Sequence, residues 1–540
     1  MKKIKLVFVF ICCTLFLAAQ SWQDTATKIE QLFTRYKPGN PGCMLAISRN
    51  NQVIFSKAWG MADLEHNIPL TTTSPSEAGS VSKQFTAASI LLLEQQGKLS
   101  LSDDIRQYFP ELPDYGSVIT LEHMMHHTSG LKDWGSLFEL TGWPRQTKNY
   151  SNEDAAYIIS LQQSLNNKPG DEYLYSNSNY ILFALLVEKI SGMSLEAFTT
   201  KYIFEPAGMQ HTQWRSNFKK IVPNRAFAYS KENNQYYTNL PNEYVYGPGG
   251  LLTTAEDLLA WNRFYLGGKL STPSLLPNQL KLVPLNSGRK NDYAAALRVD
   301  SINGWPVIEH TGSTASYRCY LQHLVDQNIS IAFLSNTSEF DEDTFHISQA
   351  IINVLVPNNS KVQPKNAPGS FSLSPDKQAA YAGWYKNERD GAALKLYFTD
   401  GKLRSKTSEL IPLSGKSFAS SNGNRFEFTG EKKLKIITLS GDVIPFVAVD
   451  SSITTKANQQ EFMGTYYSDE VMAYCEIAEK NGQLIFKQRP NTLLELTATY
   501  KDAFDSPEGP LYFERNKDGH LALFKISVSR ARNVIFKKVK

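Results

Sequence analysis

The sequence predicts an α+β fold, an α/β sandwich followed by a tail of short strands. Three observations carry that reading. Strand-like runs stand at both ends of the segment 21–357 with helical periodicity between them, a proline-rich stretch over 358–375 closes that segment, and the remainder repeats itself.

Residues 22–36 form a helical pattern with Ile29, Leu32, Phe33 and Tyr36 on one face. Two strand-like runs follow, Cys43–Ser48 and Val53–Ala58, joined by a turn at Asn50-Asn51. Helical segments dominate from about residue 80 to about 270. Strands return at Val307–His310, Tyr317–Val325 and Ile329–Leu334, and a helix with Phe345, Ile347, Ile351 and Leu355 on its apolar side closes the region. A sheet assembled from both ends, with a helical part inserted, satisfies this order.

Pro357, Pro364, Pro368 and Pro375, with Asn358, Asn359 and Gly369, mark the linker 358–375. In the tail, Tyr381-Ala-Gly383-Trp-Tyr385 matches Phe462-Met-Gly464-Thr-Tyr466, and Gly401-Lys-Leu403 matches Gly482-Gln-Leu484 at the same distance from the first glycine. Glu409-Leu410 then matches Glu495-Leu496, Phe418 matches Phe504, and Phe428 matches Phe513. Features in one order argue for two related units, 376–455 and 456–540, each with about eight short alternating stretches and each expected to be a small antiparallel β-barrel-like repeat.

With 540 residues the chain is long enough for about two to four domains. It is 42% hydrophobic and 20% charged, and its net charge of +4 forms no basic stripe, which argues against a nucleic-acid partner. At the N-terminus Lys2, Lys3 and Lys5 precede the apolar run Leu6 to Ala19, and Ala18-Ala19-Gln20-Ser21 offers small residues for cleavage. Residues 1–20 therefore read as a secretory signal, with an exported periplasmic or extracellular product. The run is about 14 residues, short of the roughly 20 that span a bilayer, and no later segment is long and apolar enough, so the mature chain is expected to lack a transmembrane segment. Cys12 and Cys13 lie inside the run, and Ile11 is not the small residue that a lipidation site wants. Cys43, Cys319 and Cys475 remain, too few and scattered for a disulfide framework, and are expected as buried thiols.

The first chemical element is Ser80-Val-Ser-Lys83, preceded by the turn-like Ser76-Glu-Ala-Gly79 and followed by the helical Gln84–Gln96, stopped at Gly97. Residues three apart share a helix face, so the Lys83 amine reaches the Ser80 hydroxyl and can take its proton. The plain alternative is that Ser80 only caps the helix. Ser-x-x-Lys also occurs at Ser216, Ser287 and Ser374, none with a comparable helix. The second element is Tyr175-Ser-Asn177, between Lys168-Pro-Gly170 and the apolar helix Tyr180–Ile190; its alternative is a packing aromatic and an Asn cap. The third is His310-Thr311-Gly312-Ser313 at a strand end, where Gly312 permits close backbone approach and the Ser313 and Ser80 amides suit an oxyanion hole. Its alternative is a strand-end turn with a solvated His.

In this order the three elements resemble the serine β-lactamase and penicillin-recognising superfamily, and most of all its branch of class C β-lactamases, DD-peptidases, D-aminopeptidases and esterases. Ile119-Thr-Leu-Glu-His-Met-Met-His-His-Thr-Ser-Gly130, Tyr175-Ser-Asn-Ser-Asn-Tyr180 and Gly247-Pro-Gly-Gly-Leu-Leu-Thr-Thr254 support the resemblance, which runs from about 25 to 357. It implies a β-lactamase/transpeptidase-like domain with an antiparallel sheet and a helical subdomain. It further implies that Ser80 is acylated, that Lys83 and Tyr175 manage protons, that Asn177 positions substrate, and that His310, Thr311, Gly312 and Ser313 bind the carboxylate side of the substrate. Class C β-lactamases usually carry Lys where this chain has His310, which is only partly cationic at neutral pH. Affinity for carboxylate-bearing substrates is then expected to weaken as pH rises through the ordinary imidazole pKa of about 6.5.

His123, His126 and His127 resemble a metal cluster but have no nearby acidic or Cys ligand set and read as structural. Gly247-Pro-Gly-Gly250 lacks the ending of a phosphate loop, and Thr254 and Asp257 read as a capping box. No metal or organic cofactor is expected. The expected partner is a small-molecule or peptide substrate: D-amino-acid peptides (D-Ala carboxypeptidase or D-aminopeptidase type) first, broad esters second, β-lactams third. A non-catalytic binding protein is the reading from another class.

Overall fold

A computed structural model describes residues 22–145, 147–217, 219–340, 344–357, 371–406, 408–430, 432–452, 456–488 and 492–539. The expected leader, 1–20, and most of the expected linker, 358–370, lie outside the described residues. The chain divides into two compact units. The first comprises Met1–Leu101, Tyr180–Val283 and Asn291–Val362; the second comprises Ser102–Asn179, Pro284–Lys290 and Gln363–Lys540.

The first unit is built on an antiparallel sheet of β1 (Cys43–Arg49), β2 (Gln52–Trp59), β3 (Arg298–Ile302), β4 (Trp305–Thr314), β5 (Tyr317–Leu324) and β6 (Ile329–Ser335), in the order β3-β4-β5-β6-β1-β2. The join between the two ends of the segment is the β1–β6 ladder, which runs from Cys43–Ser335 to Arg49–Ile329. Asn50 and Asn51 both take left-handed φ, 52° and 64°, the geometry that closes the β1–β2 hairpin in two residues. One face of the sheet packs Leu45, Ile47, Ile331 and Phe333 against Ile29, Phe33 and Tyr36 of the N-terminal segment and Ile347, Ile351 and Ile352 of the helix Thr344–Leu355. The N-terminal helix ends at residue 31, and Phe33 and Tyr36 complete its apolar face from turns.

Two differences from the sequence reading concern strands. β4 is longer than the anticipated 307–310, and β3 was not anticipated: its burial alternates weakly because it forms the edge of the sheet. Its ladder with β4 stops at Arg298–Glu309, so among the described strands residues 310–314 pair with β5 alone.

In the second unit, short helices Leu121–Met125, Trp134–Glu139 and Asn152–Ser160 belong with the tail. Each begins on a side-chain cap, from Thr120, Asp133 and Ser151 respectively. The tail forms two antiparallel sheets, of eight strands between Gly383 and Val449 and of nine between Gly464 and Lys538. Each is nearly closed: the edges of the first approach through an Arg404–Glu409 bridge, and in the second the two edge strands, Thr492–Glu495 and Thr497–Ala498, are consecutive.

The internal repeat has a physical basis. Tyr385 donates from its hydroxyl to the Tyr381 carbonyl at 2.9 Å, and Tyr466 does the same to Phe462 at 2.8 Å. Tyr381 packs on Phe418 and Phe428 as Phe462 packs on Phe504 and Phe513. The matched positions also differ in one respect: six residues after Gly383 stands Arg389, and six after Gly464 stands Glu470. Arg389 meets Glu172 at 3.0 Å, whereas Glu470 meets Lys132 at 2.9 Å.

Cys43, Cys319 and Cys475 are buried and unpaired. Among the described residues no helix is long and apolar enough to cross a membrane.

Candidate active site

Ser80 lies in a 3-10 turn, Gly79–Ser82, that runs directly into α1 (Lys83–Gln95). The helix is buried from Lys83 through Leu93, so the lysine emerges inside the core and its side chain is wholly buried. A buried ammonium or amine demands partners. Lys83 Nζ donates to Ser80 Oγ at 3.0 Å and to the Pro248 carbonyl at 2.7 Å, and lies 5.7 Å from the centre of the Tyr180 ring. Neither the 3-10 turn nor α1 receives a side-chain cap at its start, so Ser80 is not serving as a helix cap.

The Gly247-Pro-Gly-Gly250 stretch presents carbonyls here. Gly247 accepts from Thr86 Oγ1 at 2.9 Å and Pro248 accepts from Lys83. Thr254 caps α2 (Ala255–Leu266), accepting from the Asp257 amide at 3.2 Å. The box is half formed, because the Asp257 carboxylate turns instead to the His211 amide and the Thr212 hydroxyl.

β4 crosses the 3-10 turn at very short range. A Cβ on Gly312 would lie 1.9 Å from the Ala78 carbonyl oxygen, and one on Gly79 would lie 2.6 Å from the Ser313 nitrogen. Two glycines facing each other let the Ser80 and Ser313 backbones approach as they do. The pleat of β4 buries His310 and Gly312 and exposes Thr311 and Ser313.

His310 differs from the partly cationic residue expected from the sequence. It is 5% exposed. Its Nδ1 faces the Thr311 carbonyl at 2.6 Å, which requires the proton on that nitrogen, and its Nε2 accepts from the Tyr293 hydroxyl at 2.9 Å. Burial, then the nearby Lys83 charge, pushes its pKa down to about 3. The imidazole is neutral at physiological pH.

Tyr175 and Asn177 belong to the second unit. Asn177 begins the helix Asn177–Ser191, and its amide donates to Asp133 Oδ2 at 2.7 Å. His127 accepts the Ser176 amide at 3.1 Å, and its ring lies 4.1 Å from that of Tyr175. Ser178 Oγ donates to the Lys132 carbonyl and accepts the Trp134 amide. The His126-His-Thr-Ser-Gly130 stretch and the residues after it thus hold the Tyr175-Ser-Asn177 backbone in place. His123 spends its ring on the cap of its own helix, accepting the Thr120 amide at 3.2 Å. Among the described residues the only group of three or more His, Cys or acidic side chains within metal-ligand range is Asp63, Glu65 and His66, which includes none of these histidines.

The family model for β-lactamases, described as "Beta-lactamase", matches residues 26–355. The chain belongs to the β-lactamase family. Penicillin-binding protein 4* of Bacillus subtilis (strain 168) is 28% identical over 332 residues, covering 58% of this chain and 72% of that protein. A D-aminopeptidase of Brucella anthropi is 22% identical over 531 residues, covering 92% and 95%. Among solved structures, a penicillin-binding protein homologue from Pyrococcus abyssi superposes with a TM-score of 0.54 at 20% identity, over 88% of this chain and 99% of that one. D-amino acid amidase from Ochrobactrum anthropi SV3 gives 0.52 at 17%, over 62% and 99%. As a β-lactamase-family member with these relatives, the chain is a serine hydrolase.

Several supports of this β-lactamase-family site are absent from the sequence reading. Arg215 donates to both carboxylate oxygens of Glu77, at 2.9 and 3.3 Å, and to the Glu243 carbonyl; Glu77 also accepts the Gly250 amide at 3.1 Å. This buried pair ties the strand before Ser80 to the glycine-rich stretch that holds Lys83. Tyr293 and Asp133 act at a distance in sequence on His310 and Asn177. Arg215, Tyr293 and Asp133 lie in none of the stretches singled out in the sequence, whereas Glu77 and Gly250 lie in two of them.

Proposed function

We propose that the chain is an exported hydrolase of small amides or esters, with D-amino-acid peptides as favoured substrates, working through an acyl-enzyme on Ser80. The observation that carries this reading is the wholly buried Lys83 at 3.0 Å from Ser80 Oγ. Ser80 Oγ attacks the substrate carbonyl carbon, and its proton passes to Lys83, which takes it in the neutral amine form that burial favours. Collapse of the tetrahedral adduct breaks the C–N or C–O bond, and the leaving group takes that proton by way of Lys83 and Tyr175. Water then attacks the acyl-enzyme, giving up one proton through the same groups and releasing the acid and free Ser80.

The amides of Ser80 and Ser313 are assigned to the oxyanion. Asn177 orients the substrate, and the 310–314 edge of β4, with Thr311 and Gly312, lines its backbone. His310 contributes as a neutral imidazole that fixes this edge. Residues 21–357 are assigned to the hydrolase part, with 376–455 and 456–540 as the appended repeats. The names of the D-aminopeptidase and D-amino acid amidase relatives support the D-amino-acid preference. A broad esterase is the second reading, favoured by the neutral His310, since esters carry no carboxylate to pair.

The test is a panel of p-nitrophenyl esters, D-Ala amides, D-Ala-D-Ala peptides and a chromogenic cephalosporin, together with a fluorophosphonate or penicillin probe. Labelling of Ser80 is expected. A chain that neither turns over nor labels is a binding protein.

A further inference from the structure

A D-Ala-D-Ala peptide ends in a carboxylate, and a carboxylate taken out of water needs a cation or several N–H donors. The neutral His310 brings no such charge. A cation does stand at the Tyr175 segment, and it comes from the second C-terminal repeat. The strands Leu521–Val528 and Ala531–Lys538 are joined by a two-residue turn, Ser529-Arg530, with Ser529 at φ 41°. The Arg530 guanidinium carbon lies 5.3 Å from the centre of the Tyr175 ring.

The backbone of this tip is fixed without the side chain. The Arg530 carbonyl accepts from the Asp133 amide at 3.2 Å and from Asn166 Nδ2 at 2.9 Å, and its amide donates to Ser136 Oγ at 3.2 Å. The guanidinium is held more loosely, by one long ion pair and the Tyr175 face. Asp133 Oδ2 is 3.7 Å away, beyond hydrogen-bonding range, and that carboxylate already accepts the amides of Gly135, Ser136 and Asn177. Among the described residues the Arg530 side chain makes no hydrogen bond, and it is 37% exposed. A planar fork of open donors beside an aromatic face suits a carboxylate.

We propose that Arg530 is a specificity-determining residue that takes the carboxylate of anionic substrates beside Tyr175, so that the second repeat selects acids over neutral acyl compounds. This rests on the reading that Tyr175 serves the Ser80 reaction.

The test uses the full chain and two substrates that differ only in charge, N-acetyl-D-Ala-D-Ala and its C-terminal amide. Arg530→Ala should cut kcat/KM for the acid about 10- to 100-fold more than for the amide, with the difference in KM, the size expected for one charge-assisted pair. Arg530→Lys should recover part of the preference. Equal losses on both substrates, a loss confined to kcat, or no loss would overturn the proposal. If the wild-type chain cleaves neither peptide, the peptidase reading fails by itself, and calorimetry of N-acetyl-D-alanine against its amide decides Arg530. A preference for the acid that Arg530→Ala removes supports the assignment; equal binding of the two ligands overturns it.

Discussion

Arg389 and Arg532, one from each C-terminal repeat, share the carboxylate of Glu172: Arg389 Nε reaches one oxygen and Arg532 Nη1 the other, each at 3.0 Å. All three side chains are largely buried, and Glu172 stands three residues ahead of Tyr175. Removing the charge takes this carboxylate from Arg532 and leaves Arg389 with Asp442. Glu172→Gln should therefore destabilise the chain by on the order of 2–3 kcal/mol, read as a shift of the urea midpoint. A shift indistinguishable from zero would mean that the two repeats draw nothing from this carboxylate.

His310 leads to a prediction about pH. Its folded pKa, near 3, lies below the ordinary value near 6.5, so the unfolded chain binds the proton more readily. Stability from this residue is complete above about pH 6.5 and is lost progressively as pH falls toward 3. Tm against pH should slope less below pH 6.5 in His310→Gln than in wild type. KM for carboxylate substrates should stay flat between pH 6 and 8, on about the scale of assay error, because no imidazolium is there to be lost. A titration of KM near pH 6.5 would restore the charged imidazole expected from the sequence.

Ser80→Ala should remove several orders of magnitude of activity on every substrate and leave the thermal midpoint near wild type. Lys83→Ala should be nearly as damaging, because the same hydrogen bond is lost from its other end. A Ser80→Ala enzyme within about tenfold of wild type would remove the nucleophile assignment.

Tyr175→Phe should slow acylation or deacylation by about 10²–10⁴-fold if the phenol moves protons. Stopped-flow with a chromogenic ester separates the two steps. Wild-type rates for both would make Tyr175 a packing partner of His127, whose ring lies 4.1 Å away.

What the sequence disclosed was local. Ser80 and Lys83 are three apart, and their 3.0 Å contact follows from that spacing at the start of a helix. The repeat showed itself through glycines and aromatics that have few substitutes in small barrels. The supports were hidden because they are remote in sequence: Arg215 reaches Glu77 from 138 positions away and Pro248 reaches Lys83 from 165. Strand β3 is hard to read from sequence because Arg-Val-Asp-Ser-Ile at a solvated edge carries little hydrophobic signal. The neutrality of His310 depends on burial and on the nearby Lys83, neither of which His310-Thr-Gly312 encodes by itself.

The opposite signs of Arg389 and Glu470 act as an address. Were the two barrels to exchange seats, Arg389 would meet Lys132 and Glu470 would meet Glu172, like against like in largely dry surroundings. Two modules that share the Tyr-to-carbonyl bond closing each thus differ in sign at one matched position, and each sign meets its opposite. The inverted sign is one of several contacts, with the Arg530 tip and the Arg532–Glu172 pair, that fit each barrel to its own seat.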